Sequence, residues 1–241
     1  MSYDRETDMM IANNDEEGRV FFLNKETFTL ENEMKLLKKG DYESIESFDE
    51  FIVICKNNGH LSLYNRNTEK TEEIKMPFKN SNNVEGMGHD IRSNSLLIAC
   101  KGKALDTDSS DKCIYNFNLE TRVLDEVAFF CLSPDDLISK YDELYNNETT
   151  STSRKVYKRL KKFAPSGIAV HPLTGDFFVV SARGGILIKI DRSKNLYDIT
   201  LLHEKTIPQP EGIAFDDNNH LYIATEGKGG SGKIVRFEYL N

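Results

Sequence analysis

Cysteine is scarce in this sequence, and the four it has are scattered. Cys55, Cys100, Cys113 and Cys131 form no Cys-x-x-Cys pair and no Cys/His run of zinc-like spacing, which argues against a metal-thiolate centre. Cys55 and Cys100 fall in strand-like apolar runs, so the four are read as small buried hydrophobes rather than as a disulfide or redox pair. No apolar run is long enough for a membrane helix, and no basic start leads into an apolar core with a cleavage site. There is no Gly-x-Ser-x-Gly elbow and no Cys/His nucleophile constellation. Positive charge is in the minority. A formal net charge of -8 disfavours nucleic acid or an anionic membrane surface as a partner, because each needs a basic footprint. No linker divides the 241 residues, a length that suits a closed repeat array forming one domain over residues 1–241.

What the chain does have is a phrase that returns at blade-like intervals: Asn83-Val84-Glu85-Gly86-Met87, Pro165-Ser166-Gly167-Ile168-Ala169 and Pro210-Glu211-Gly212-Ile213-Ala214. A worn copy, Asp41-Tyr42-Glu43-Ser44-Ile45, lies upstream. Each copy is followed by a polar turn, an alternating apolar strand and a further strand, so the phrase opens a repeated all-β unit. Weaker fourth strands are expected at Thr71 to Met76, Arg122 to Phe129 and Ile199 to His203. Five short antiparallel sheets set radially leave only short, protected edges, so the pattern predicts a five-bladed β-propeller, with six blades as the alternative. Met1-Ser2-Tyr3-Asp4 aligns with Ile213-Ala214-Phe215-Asp216, partway through a unit. The first blade is therefore expected to lack its opening residues, and any export signal or anchor would lie ahead of it.

Residues 133–163 break the rhythm between blades three and four. Ser133-Pro134-Asp135-Asp136 supplies an N-cap, a proline at the first helical position and acids in the first turn, and Leu137, Tyr141 and Tyr145 continue at helical spacing. A basic stretch, Arg154 to Lys162, carries Val156, Leu160 and Phe163 at near-helical spacing. A helical insertion with its lysines on a solvated face is predicted.

The innermost strands of a propeller line its channel, so equivalent positions form rings. Glu43, Glu85 and Glu211 should converge at one channel end, with Ser166 completing the set. Crowded carboxylates must raise a pKa, recruit a base or bind a cation. The ends of the second strands align as Asn14, Lys56, Lys101, Arg183 and Glu226, which pairs Glu43 with Lys56 and Glu85 with Lys101 but leaves Glu211 facing Glu226. A metal is therefore expected near Glu211, Glu226 and Asn14, with Glu43 and Glu85 contributing, and oxygen-only ligands favour Ca²⁺. The competing reading is a ring of salt bridges among Glu43, Lys56, Glu85, Lys101 and Arg183. Gly227 to Lys233 lacks the Ser or Thr of a phosphate loop and reads as a hairpin turn, His89 and His171 read as turn residues, and the sequon Asn147-Glu148-Thr149 says little by itself.

The phrases Asn82-Asn83-Val84-Glu85-Gly86, Leu97-Ile98-Ala99-Cys100-Lys101, Pro165-Ser166-Gly167-Ile168-Ala169-Val170-His171-Pro172 and Pro208-Gln209-Pro210-Glu211-Gly212-Ile213 resemble the SdiA-regulated family of bacterial envelope proteins, most tightly from Phe163 to Tyr239. That family is similar to NHL-repeat proteins and to the calcium-dependent phosphotriesterase-like propellers. The resemblance implies a five-bladed propeller with a calcium site and a periplasmic or plasma-membrane-associated location. It implies membrane attachment only through a segment absent from this chain. The reading that follows is a calcium-binding platform for a small molecule or protein at the channel face, without catalysis. The alternative is a metal-dependent hydrolase of lactones, esters or phosphotriesters.

Overall fold

The computed structural model describes residues 1–105, 109–145, 151–226 and 231–239. The chain forms five antiparallel sheets in sequence order. The first contains β1 (Ser2–Asp4), β2 (Met9–Asn13), β3 (Arg19–Asn24) and β4 (Leu30–Lys35), and the second β5 (Tyr42–Phe48), β6 (Phe51–Lys56), β7 (Leu61–Asn65) and β8 (Lys70–Ile74). The third contains β9 (Val84–Asp90), β10 (Ser95–Cys100), β11 (Lys112–Asn118) and the two-residue β12 (Val123–Leu124), with β13 (Phe130–Leu132) also on β11. After α1 (Pro134–Tyr145) and α2 (Ser151–Leu160) come β14 (Gly167–Val170), β15 (Phe177–Ser181), β16 (Ile186–Ile190) and β17 (Leu196–Leu201), and then β18 (Pro210–Phe215), β19 (Leu221–Thr225) and β20 (Lys233–Phe237). The first strands touch in the cycle β1, β5, β9, β14, β18 and back to β1, which closes a ring of five blades. The six-bladed alternative is thereby excluded, and the helical insertion lies between blades three and four as expected.

Burial follows position within a blade. The second strand is covered on both faces, and β10 (Ser-Leu-Leu-Ile-Ala-Cys) is buried at every residue. The outermost strands β4 and β8 are polar and largely exposed. That gradient is what a radial stack of sheets requires: apolar side chains fill the gaps between blades, and the rim meets water.

The insertion is tied down at both ends. Ser133 caps α1, its Oγ accepting the Asp136 N–H at 3.0 Å. Tyr145 at the far end donates to Asp198 and to the Ile199 carbonyl on β17. From α2, Arg159 donates to the carbonyls of Gly184, Gly185 and Leu202 at 2.5–2.8 Å, while Val156, Leu160 and Phe163 are buried in the core shared by blades three and four. No helix among the described residues is long and apolar enough to cross a membrane.

Three expectations are corrected. Cys113 and Cys131 stand opposite each other on β11 and β13 and form a disulfide, whereas Cys55 and Cys100 are free and buried. The stretch read as one fourth strand, Arg122 to Phe129, instead ends its pairing at Leu124, and the chain crosses to β13 near the start of β11. His89 lies inside β9 rather than in a turn: its N–H donates to Glu46, its ring packs on Phe48 at 4.9 Å, and burial lowers its pKa to about 4. His171 does hold its turn, Nδ1 accepting the N–H groups of Leu173 and Thr174. The glycine-rich run reads as a turn, and β19 and β20 do pair as a hairpin across it, but Gly227 to Gly230 lie outside the described residues, as does the sequon at Asn147.

The disulfide closes a loop of separation 18, which in the chain-entropy model contributes about 3 kcal/mol. Urea unfolding with reductant present should show that loss, and an unchanged midpoint would mean the bridge does not form in solution.

Candidate metal centre at the channel mouth

The glutamates of the repeated phrase reach the channel mouth by a shared backbone device. In blade two Tyr42 pairs with Lys56 and Ser44 with Cys55, so Glu43 is an extra residue opposite no partner. In blade three Val84 pairs with Cys100 and Gly86 with Ala99, leaving Glu85 extra. In blade five Pro210 pairs with Thr225 and Gly212 with Ala224, leaving Glu211 extra. Each glutamate is the inserted residue of a β-bulge, and a bulge re-aims the side chain it carries. Asn83 and Gln209, two residues before Glu85 and Glu211, sit at positive φ (47° and 44°) and bend the chain into the strand.

All three line one cavity of ≈ 670 Å³ together with Asn14, Asp15, Glu16, Glu17 and Glu226. Every residue expected at the metal from the sequence is therefore at this mouth. Blade four contributes no carboxylate. There Ser166 turns back on the backbone, donating to the Pro210 carbonyl at 2.5 Å and accepting from the Ala182 N–H.

The bulges also correct the second ring. Because Cys55, Ala99, Val180 and Ala224 are the equivalent partners, the equivalent positions two places on are Asn57, Lys101, Ala182 and Glu226, of which Lys101 and Glu226 line the cavity. Backbone bonds agree: Asn57, Lys101 and Glu226 each donate an N–H to the residue two before the bulged glutamate, namely Asp41, Asn83 and Gln209. Lys56 and Arg183 are one position out of step, and one position in a strand reverses the face. Lys56 accordingly lies 3.8 Å from Glu73, not on Glu43, and Arg183 forms no ion pair among the described residues. In blade one the same register makes Asp15 the counterpart of Glu226. Asn14 instead accepts the Glu17 N–H.

Charge in the cavity is unbalanced. Seven carboxylates line it, with Lys101 as the one cation among the described residues, and Lys101 is committed to Glu85 at 2.8 Å. Burial, then Glu85, Asp41 and Asp15, push the Glu43 carboxyl up to about 8. Burial and Glu85, with Glu226 and Asp15 adding and Lys101 opposing, push Glu211 up to about 7. Burial with Glu226 and Asp41 raises Asp15 as well. Gln209 steadies Glu226 by a bond of 2.9 Å.

Among the described residues no three carboxylate, imidazole or thiol groups stand close enough to hold a metal ion. The donor set nonetheless fits a hard cation in kind: it is all oxygen, it comes from different blades, and Lys101 offsets only the charge of Glu85. The sequence offers Asp15, beside Asn13 and Asn14, as one of three blade-one oxygen donors, and the register singles it out.

Residues 133–228 match a family model described as SdiA-regulated. Within this segment fall α1, α2, blade four and the Pro210–Thr225 half of blade five, including Glu211 and Glu226. No curated protein matches the sequence. Among solved structures, the chain is similar to a gluconolactonase from Xanthomonas campestris, with 11% identity, 98% of this chain and 71% of that one covered, and a TM-score of 0.60. A streptogramin B lyase matches with 11% identity, 100% and 82% coverage and a TM-score of 0.53. The Cps50 (Swd1) β-propeller domain of Myceliophteria thermophila matches with 11% identity, 100% and 67% coverage and a TM-score of 0.53. At such identities the likeness concerns the propeller fold.

Proposed function

We propose that this propeller binds Ca²⁺ at its channel mouth and, in the cell envelope, presents that face to a small molecule or a protein. The observation that carries the reading is the set of three β-bulges that aim Glu43, Glu85 and Glu211 into one cavity beside Asp15 and Glu226. Glu211, Glu226 and Asp15 would hold the ion, with Glu43 and Asn14 at its margin and Glu85 kept by Lys101. Oxygen donors without thiol or imidazole favour calcium over zinc. The Cys113–Cys131 bridge supports an oxidising compartment.

The second reading is a hydrolase of lactones, esters or phosphotriesters. It is favoured by one feature, Glu43, whose raised carboxyl is matched to accepting a proton near neutral pH. A bound cation would supply Lewis acidity toward a carbonyl or phosphoryl oxygen. A panel of these substrates, assayed with calcium and with chelator on wild type and Glu211→Gln, decides between the two. The platform reading expects no turnover above the variant. Turnover lost on both chelation and Glu211→Gln would replace it by the hydrolase.

A further inference from the structure

The net charge of -8 conceals a segregated basic face. Residues 151–163 contain six lysines and arginines and no acid, so the other 228 residues carry a net -14. Arg159 is spent on the backbone of blade four. The other five, Arg154, Lys155, Lys158, Lys161 and Lys162, are all exposed, and none forms an ion pair among the described residues. Arg154, Lys155 and Lys158 lie on α2 within about 100° of arc at 3.6 residues per turn, and Lys161 and Lys162 follow in the turn that ends it. Val156 and Leu160 occupy the opposite side of α2 and, with Phe163 just beyond it, are buried in the core. Tyr157 is turned aside by its bond to Asp142 at 2.6 Å. The docked face of α2 thus fixes the direction in which its cations point.

We infer that the basic face of α2 is an electrostatic docking surface for an anionic lipid bilayer. Charge complementarity names an anionic partner, and the make-up of the face narrows it. Four of the five cations are lysines, compact point charges without the planar fork that reads a carboxylate or phosphate bidentately. The face offers no exposed aromatic on which a nucleic-acid base could stack, and no apolar or aromatic anchor of the kind that forms the centre of a specific protein interface. A diffuse sheet of lipid headgroup charge needs neither, since polybasic segments are held by the surface potential alone. The contact is peripheral, with nothing on the exposed side to insert into the acyl region.

The test is cosedimentation of the whole chain with phosphatidylcholine vesicles, with and without phosphatidylglycerol, at low and high salt. Binding should require phosphatidylglycerol, weaken steeply with salt, and fall roughly fivefold in partition coefficient for each cation removed. The combined Lys155→Gln, Lys158→Gln, Lys161→Gln, Lys162→Gln variant alters only exposed side chains and should keep the wild-type melting temperature while losing at least about a hundredfold. No binding to phosphatidylglycerol vesicles at low salt would overturn the inference, as would equal binding by the variant or equal binding to neutral vesicles. Tighter retention of duplex DNA or of polyglutamate than of the vesicles would also overturn it, in favour of another polyanion.

Discussion

Gly88→Val should markedly weaken the closed ring. A Cβ at Gly88 would lie 2.6 Å from the carbonyl oxygen of Ile168 on the neighbouring inner strand, and 3.1 Å from its carbonyl carbon. Both obstacles are backbone, so no rotamer change relieves them. Gly86 is less tightly placed, its notional Cβ 3.1 Å from the Cα of Gly167, and Gly167 in turn abuts the Glu211 carbonyl at 3.0 Å. The glycines of the repeated phrase therefore let inner strands of successive blades approach backbone to backbone around the channel. Overpacking of this kind costs about 3 kcal/mol when two blades must part, or about 10 °C in melting temperature for a chain of this size. Circular dichroism on heating measures it. A variant that melts with the wild type would refute the inner-strand packing.

The crowded carboxylates set the second expectation. Glu43 and Glu211 take up protons at about 8 and about 7 in the folded protein, against an ordinary value of 4.5. From the ordinary value up to about 8 the folded state holds more protons than the unfolded one. Stability then falls as pH rises through that window. In chelator, Glu43→Gln removes a charge that folding penalises, so the variant should melt above wild type at pH 8.5 and level with it near pH 5. With calcium present the order at pH 8.5 should reverse, because the penalised charge is what attracts the ion. Calcium uptake near neutral pH should also release protons to the buffer. A variant that tracks wild type at every pH would show that Glu43 sits in an ordinary aqueous setting.

Blade number, the place of the insertion and the convergence of Glu43, Glu85 and Glu211 were legible because a recurring phrase marks equivalent positions whatever its local geometry. The bulges were not, since one unpaired residue leaves no trace in an apolar alternation. Their effect appears on the next strand, where Lys56 and Arg183 lie one residue out of register and Asn57 and Ala182 take the positions equivalent to Lys101 and Glu226. The Cys113–Cys131 bridge was hidden for a related reason: β13 departs from the blade pattern and brings together residues 18 apart that spacing alone does not pair. The basic stretch from Arg154 to Lys162 was legible as a run of charge with its lysines on a solvated face, and the structure leaves Arg154, Lys155, Lys158, Lys161 and Lys162 exposed.

The most direct measurement is calorimetric melting of the wild-type chain and of Glu211→Gln, each with excess calcium and with chelator. A ligand that binds only the folded state at a hundred times its Kd contributes about 2.7 kcal/mol, so wild type should melt several degrees higher in calcium and return on chelation, while Glu211→Gln should respond weakly or not at all. Identical wild-type melting in calcium and in chelator would contradict a metal centre at the bulged glutamates.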